Sequence, residues 1–188
     1  FWEYLSERFG VTFISEVLRD AATANDSTTG LQTALVAHGT TLAAAYNAFA
    51  TKMMVGGWTA SSLDVATPPI SGSPIMTGVA TGDLPAQTFN VNHLATRYVE
   101  IDRGDGAADH PCFAATLTIT VQIPAGVTSQ PSFFWNGGGG SAVDLAVSGN
   151  TATTTVPWDT CMWASKGLLS LPNATTDKDG TVFTVSEH

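Results

Sequence analysis

Apolar side chains recur at helical spacing over roughly the first 55 residues and at every second position from about residue 63 onward. In "FWEYLSERF", Phe1, Trp2, Leu5 and Phe9 cluster on one side of a predicted helix. After Gly10, Thr12 is placed to cap a second helix with a buried stripe of Ile14, Val17, Leu18 and Ala21. The polar run "TANDSTTG" interrupts the pattern, and "LQTALVAHG" predicts a short third helix with Gly39 as its left-handed C-cap. Thr40 or Thr41 then opens the strongest helix of the chain. Its Leu42, Ala45, Tyr46, Phe49 and Met53 follow the i, i+3, i+4, i+7, i+11 series, and Gly56 and Gly57 end it.

The clearest strand is "ATLTITVQI", where Leu117, Ile119, Val121 and Ile123 alternate with Thr116, Thr118, Thr120 and Gln122, one face buried and the other wet. Weaker strands are read at "QTFNV", "ATRYVEI", "SFFWN", "AVDLAV", "TATTTV", "GLLSL" and "TVFTVS", about eight in all, separated by Pro, Gly and Ser turns. The pattern predicts an α+β chain. A small N-terminal helical subdomain, residues 1–60, precedes an antiparallel immunoglobulin-like β-sandwich, residues 61–188.

Composition narrows the function classes. Apolar residues at 44% with 12% charged describe a folded chain, and no stretch is apolar enough to span a membrane. A net charge of −9 with only seven Lys and Arg disfavours nucleic acid and anionic membrane surfaces, which need concentrated cations. Neither a basic n-region nor an apolar h-region opens the chain, so an export signal is expected upstream of Phe1. Cys112 and Cys161 form no metal-type pair, and a single disulfide is their simplest use, which favours an extracellular protein.

No nucleophile elbow, phosphate-binding loop, dinucleotide fingerprint or H-E-x-x-H helix occurs, so no catalytic residue is assigned. "NGGGGSAV" reads as a hairpin loop, and His38, His93, His110 and His188 are scattered. His38 suits the end of a helix, where an imidazole complements the dipole. In "EIDRGDGAADH", Glu100, Asp102, Asp105 and Asp109 stand in one loop and form a candidate calcium site, although the spacing is not that of an EF-hand. Asp177 and Asp179 in "TTDKDGT" give a second, weaker calcium loop. The same first loop spells Arg103, Gly104, Asp105, an integrin-type tripeptide that three residues specify poorly. Asn25 and Asn173 begin glycosylation sequons. Trp58, Phe133, Phe134, Trp135, Trp158 and Trp163 are candidates for a sugar-stacking platform, with core packing as the alternative.

"FWEYLSERFG", "ISEVLRDAA" and "GLQTALVAHGTTLAAAYNAFATKMMVGG" together resemble the helical tail of a family of secreted bacterial zinc metallopeptidases. In that family a W-x-Y-L-x-E-R-Y/F-G helix follows the zinc-binding helix, matched here by Trp2 to Gly10. A later helix reads G-x-S/T-L-x-x-A-F/Y-x-x-F-A, matched by Gly39 to Ala50. "HLATRYVEI" and "KGLLSLPNATTDKDGTVFTV" resemble the first strand and the closing hairpin of the appended sandwich. The zinc ligands and the catalytic Glu have no counterpart in this chain, and Glu3 and Glu7 belong to the later helix. The resemblance implies a non-catalytic C-terminal region: helices that buttress an upstream catalytic domain, joined to an accessory sandwich. Phe1, Trp2 and Leu5 are then expected to have packed on that domain, and the helices to self-associate without it. The alternative is a self-contained extracellular adhesion module whose sandwich meets protein, carbohydrate or calcium.

Overall fold

The computed structural model describes residues 1–55, 75–77, 84–102, 114–135, 141–159 and 166–188. Four helices open the chain: α1 (Trp2–Phe9), α2 (Phe13–Ala24), α3 (Ser27–Ala37) and α4 (Leu42–Val55). Their core is Tyr4, Leu5, Phe13, Val17, Leu31, Ala34, Leu35, Leu42 and Ala45. Two expectations for α2 fail. Thr12 stands at the N-cap in helical conformation and its side chain accepts no capping bond. Leu18 is exposed, because the buried stripe runs through Phe13 and Val17, one position round the helix from the stripe expected.

Helix α3 begins within the run expected to be a loop. Asp26 is extended and accepts a 2.6 Å bond from the Thr29 N–H, so Ser27 to Gly30 become its first turn. At the other end, Gly39 takes φ +74. The Thr40 N–H reaches the Leu35 carbonyl and the Gly39 N–H the Val36 carbonyl, the two bonds of a Schellman cap, as the sequence predicts. Thr41 opens α4 by accepting the Ala44 N–H.

The strands are β1 (Ile75–Thr77), β2 (Leu84–Val91), β3 (Ala95–Asp102), β4 (Ala114–Gln122), β5 (Ser132–Trp135), β6 (Val143–Asp144), β7 (Ala146–Ser148), β8 (Thr151–Asp159), β9 (Lys166–Asn173) and β10 (Thr181–Glu187). They form two five-stranded sheets, ordered β1-β3-β9-β5-β6 and β2-β10-β4-β8-β7, so the α+β architecture with a β-sandwich holds. One pairing departs from the antiparallel expectation: β1 runs parallel to β3. The strand between them, β2, lies in the opposite sheet, and two reversals restore the original direction. The predicted strand "AVDLAV" divides in two. Leu145 turns into the core between β6 and β7, and the chain passes from one sheet to the other.

Inward side chains of both sheets, including Val99, Ile101, Leu117, Ile119, Val121, Phe133, Leu169, Leu171, Phe183 and Val185, make the sandwich core. The outer face of the β3-β9-β5 sheet is covered by α4. Tyr98 donates from its hydroxyl to the Ala50 carbonyl at 3.0 Å, and Thr51 and Ser132 share a hydroxyl contact of 2.8 Å. Asn47 accepts the Gln130 N–H, and Tyr46 accepts from Thr96. This cover explains "GLLSLPN", where Gly167 to Asn173 are all buried and no alternation is visible, because both faces of β9 are packed. Lys52 reaches back to Glu7 at 2.8 Å and ties α1 to α4. The expected boundary at residue 60 falls outside the described residues.

Burial raises the Tyr98 hydroxyl above the ordinary tyrosine range, and Tyr46 beside it shifts the same way, chiefly through burial. A raised folded pKa gives stability that is complete below the unfolded value near 10 and is lost as pH climbs towards the folded one. Unfolding midpoints should therefore hold steady up to about pH 10 and fall above it. Tyr98→Phe should flatten that fall, and an unchanged profile would show that Tyr98 ionises freely in the folded chain.

Candidate functional site

Where α3 and the start of α4 meet the sandwich turns, a groove of about 650 Å³ opens. Its walls are hydroxyl-rich: Thr29, Gln32 and Thr33 on the helical side, Thr128, Thr175 and Thr176 on the sandwich side. Val36 and Leu42 supply apolar wall, and Asp177 is the one titratable residue among those lining it. Gln32 is fixed by accepting the Leu42 N–H at 2.9 Å. Such a lining can hold an uncharged polar ligand. It does not supply the pair of titratable groups that acid-base chemistry uses.

The sandwich wall of the groove is organised by Asn173, fully buried in the 173–181 hairpin. Its amide donates to the Lys178 carbonyl at 2.8 Å and to Thr181 Oγ1 at 3.1 Å, and its oxygen accepts from Thr175. Glycosylation of the folded chain at Asn173 is thereby excluded, whereas Asn25, left-handed at the end of α2, is exposed. Asn173→Ala leaves several buried partners unsatisfied and should cost about 2–3 kcal/mol of stability. Chemical denaturation reads this directly, and a loss below about 0.5 kcal/mol, the size of an ordinary surface change, would rule out the organising role.

No family model matches this chain. No curated protein matches it either. Among solved structures it is similar to the pre-peptidase C-terminal domain of a collagenase from Bacillus anthracis, with TM-score 0.42 and 9% identity over 62% of this chain and 96% of that one. It is also similar to part of a β-glucosidase from Paenibacillus barengoltzii, with TM-score 0.27 and 12% identity over 61% of this chain and 11% of that one.

The structure separates the residues singled out in the sequence. Glu100 and Asp102 stand in strand β3, two positions apart, and not in a loop; the strand extends further than its apolar run suggests because β9 pairs along its whole length. Asp105 and Asp109, which complete the candidate calcium set, lie outside the described residues, as do Arg103 and Gly104. Among the described residues no group of three or more His, Cys, Asp or Glu is placed to hold a metal ion. In the second loop Asp179 is engaged by His93: Nδ1 lies 2.7 Å from Oδ1, and the His93 N–H donates to the same oxygen at 3.2 Å. The backbone bond, then the ring contact, hold the Asp179 carboxyl below its ordinary range.

His38 closes α3 as expected, with Nε2 2.8 Å from Glu16 and its ring against Phe9 and Phe13. His110 lies outside the described residues. The aromatic platform is corrected at Phe133, which is fully buried and stacks on Trp135 within the sandwich, ring centroids 5.7 Å apart. Phe134 points to the opposite side of the sheet and is half-buried. Trp58 and Trp163 lie outside the described residues, as does the Trp158 side chain. Cys112 and Cys161 also lie outside them. The described β4–β8 ladder ends with Ala114 opposite Asp159, and in sequence each cysteine is two residues beyond that pair.

Sequence reasoning missed Asn173 as an organising residue and the groove itself. The cap at Asp26 was missed as well; an Asp just ahead of the helical run is the signal that could have found it.

Proposed function

We propose that this chain is the non-catalytic C-terminal region of an exported metallopeptidase-like protein, its helices standing between an upstream domain and a sandwich that serves as the binding part. The observation that carries this reading is the docking of α4 on the sandwich through Tyr98, Thr51, Asn47 and Tyr46, which makes the helices a rigid mount and not a loose tail. In this extracellular setting Cys112 and Cys161 are joined as a disulfide. Among the described residues no helix is long and apolar enough to cross a membrane.

The reading assigns the upstream contact to particular residues. Leu5 is fully buried, and Phe1 packs on Tyr4, Tyr46 and Phe49, so these two have partners within the chain. Trp2 is 52% exposed, Leu18 66% and Val11 84%, which leaves large apolar side chains on the helical layer for another surface. The purified chain should bind hydrophobic dye and self-associate in sedimentation velocity, and Trp2→Glu with Leu18→Glu should restore a dye-silent monomer. A wild-type monomer that ignores the dye would overturn the upstream contact.

A further inference from the structure

The two sheets differ on their outer faces: α4 packs on the β3-β9-β5 side, whereas among the described residues no helix makes a comparable contact with the β2-β10-β4-β8-β7 side. Strand register maps that second face. One row crosses all five strands as Ser148, Thr151, Gln122, Thr184 and Thr88. The next holds Ala146, Thr153, Thr120 and Ser186, and a third pairs Thr155 with Thr118. None of these positions is charged, in a chain of net charge −9. His188 adjoins the face beside Thr118. The array is internally ordered: the hydroxyls of Thr118 and Thr155 lie 3.0 Å apart, and Thr151 donates to Gln122 Oε1 at 3.1 Å.

We propose that this face binds an insoluble neutral polysaccharide, the polymer lying flat across the strands. The inference rests on reading the sandwich as the binding part of the chain. Strand spacing sets hydroxyls about 4.8 Å apart across a row and about 6.8 Å apart along a strand, over a face about 19 Å wide. Each threonine hydroxyl both donates and accepts, beside a methyl group, which matches the alternating O–H and C–H edges of a sugar chain. β-Branching holds threonine stiff at χ1, so little side-chain entropy is lost on contact. With no charge to desolvate, a neutral partner meets no Born penalty.

Other occupants fit less well. Polyanions need the Lys and Arg that the face lacks. A small molecule is held in a concavity, and this surface is a sheet face. A second copy would be expected to meet a more apolar centre than rows of Thr, Ser and Gln.

Co-sedimentation of the chain with microcrystalline cellulose, chitin and insoluble β-1,3-glucan tests the proposal, with soluble polygalacturonate as an anionic probe. The measurement is made at pH 8. Retention on at least one neutral polymer is expected, unchanged from low to molar salt. Thr118→Lys with Thr153→Lys should weaken it roughly tenfold, a loss of about 1.4 kcal/mol. Thr88→Lys with Thr155→Lys, at two exposed positions, serves if the first pair fails to fold, and Thr23→Lys, exposed on α2 away from both the face and the groove, should leave retention unchanged. No retention on any neutral polymer overturns the proposal. So does salt-sensitive retention, binding to polygalacturonate alone, or retention indifferent to both lysine pairs. Self-association abolished by the same lysines would assign the face to a second copy instead. The helical contact is read separately through Trp2 and Leu18, so either reading can fail without the other.

Discussion

Gly30→Val should lower the unfolding free energy by about 3 kcal/mol or more, the range of strongly overpacked sites. A Cβ at Gly30 would stand 2.3 Å from the backbone nitrogen of Ala21 and 2.4 Å from its Cα. Those are main-chain atoms of α2, so no rotamer change gives relief and the two helices must move apart. Separation would loosen the core that Phe13, Val17, Leu31, Ala34 and Leu35 share. Urea unfolding followed by helical circular dichroism measures the loss. Ala22→Val, at an exposed position of α2, should cost only a few tenths of a kcal/mol through helix propensity. Equal midpoints for the two variants would refute the close approach of α2 and α3.

Replacing Cys112 and Cys161 together by serine should have a comparable effect. Closing a loop of about 50 residues is worth about 4 kcal/mol in the chain-entropy model, a ceiling that native strain can reduce. The proposal draws on the register of β4 and β8, which pair over nine residues and end at Ala114 opposite Asp159. In sequence Cys112 and Cys161 each stand two residues beyond that pair. Intact mass after alkylation without reduction decides it: no added label is expected, and two labels under denaturing conditions would show two free thiols. With the bridge reduced, thermal unfolding should become the same as that of the double serine variant.

The helices and most strands were readable because each is governed by a local period. Leu42, Ala45 and Tyr46 recur at helical spacing and are buried as a face, and Leu117, Ile119 and Val121 alternate and are buried as a row. Strand β1 was not readable, since three residues carry no period and its pairing with β3 depends on a strand in the other sheet. Leu18 was misplaced because an apolar side chain at helical spacing does not reveal which of two adjacent stripes meets a neighbour. Phe133 and Trp135 gave no sign of their burial, because consecutive aromatics suit a core strand as well as a sugar platform.

The candidate surfaces were less legible still. Asn173 looks like a sequon and acts as the buried fastener of a hairpin, through partners five to eight residues away that only the turn brings near. The threonines of β4 and β8 were visible as a wet face, but which sheet α4 would pack on was not. By itself the sequence determined the α+β class, the order of helices before strands, the Gly39 cap and a net charge of −9, all consequences of local periodicity, backbone preference or total charge. Only the tertiary structure decided that α4 packs on the β3-β9-β5 sheet and not on the other, that Phe1 and Leu5 find partners within the chain, and that hydroxyls from five strands fall into rows. Those outcomes depend on contacts between segments far apart in sequence, and side-chain pattern within one segment carries no record of which distant face will meet it.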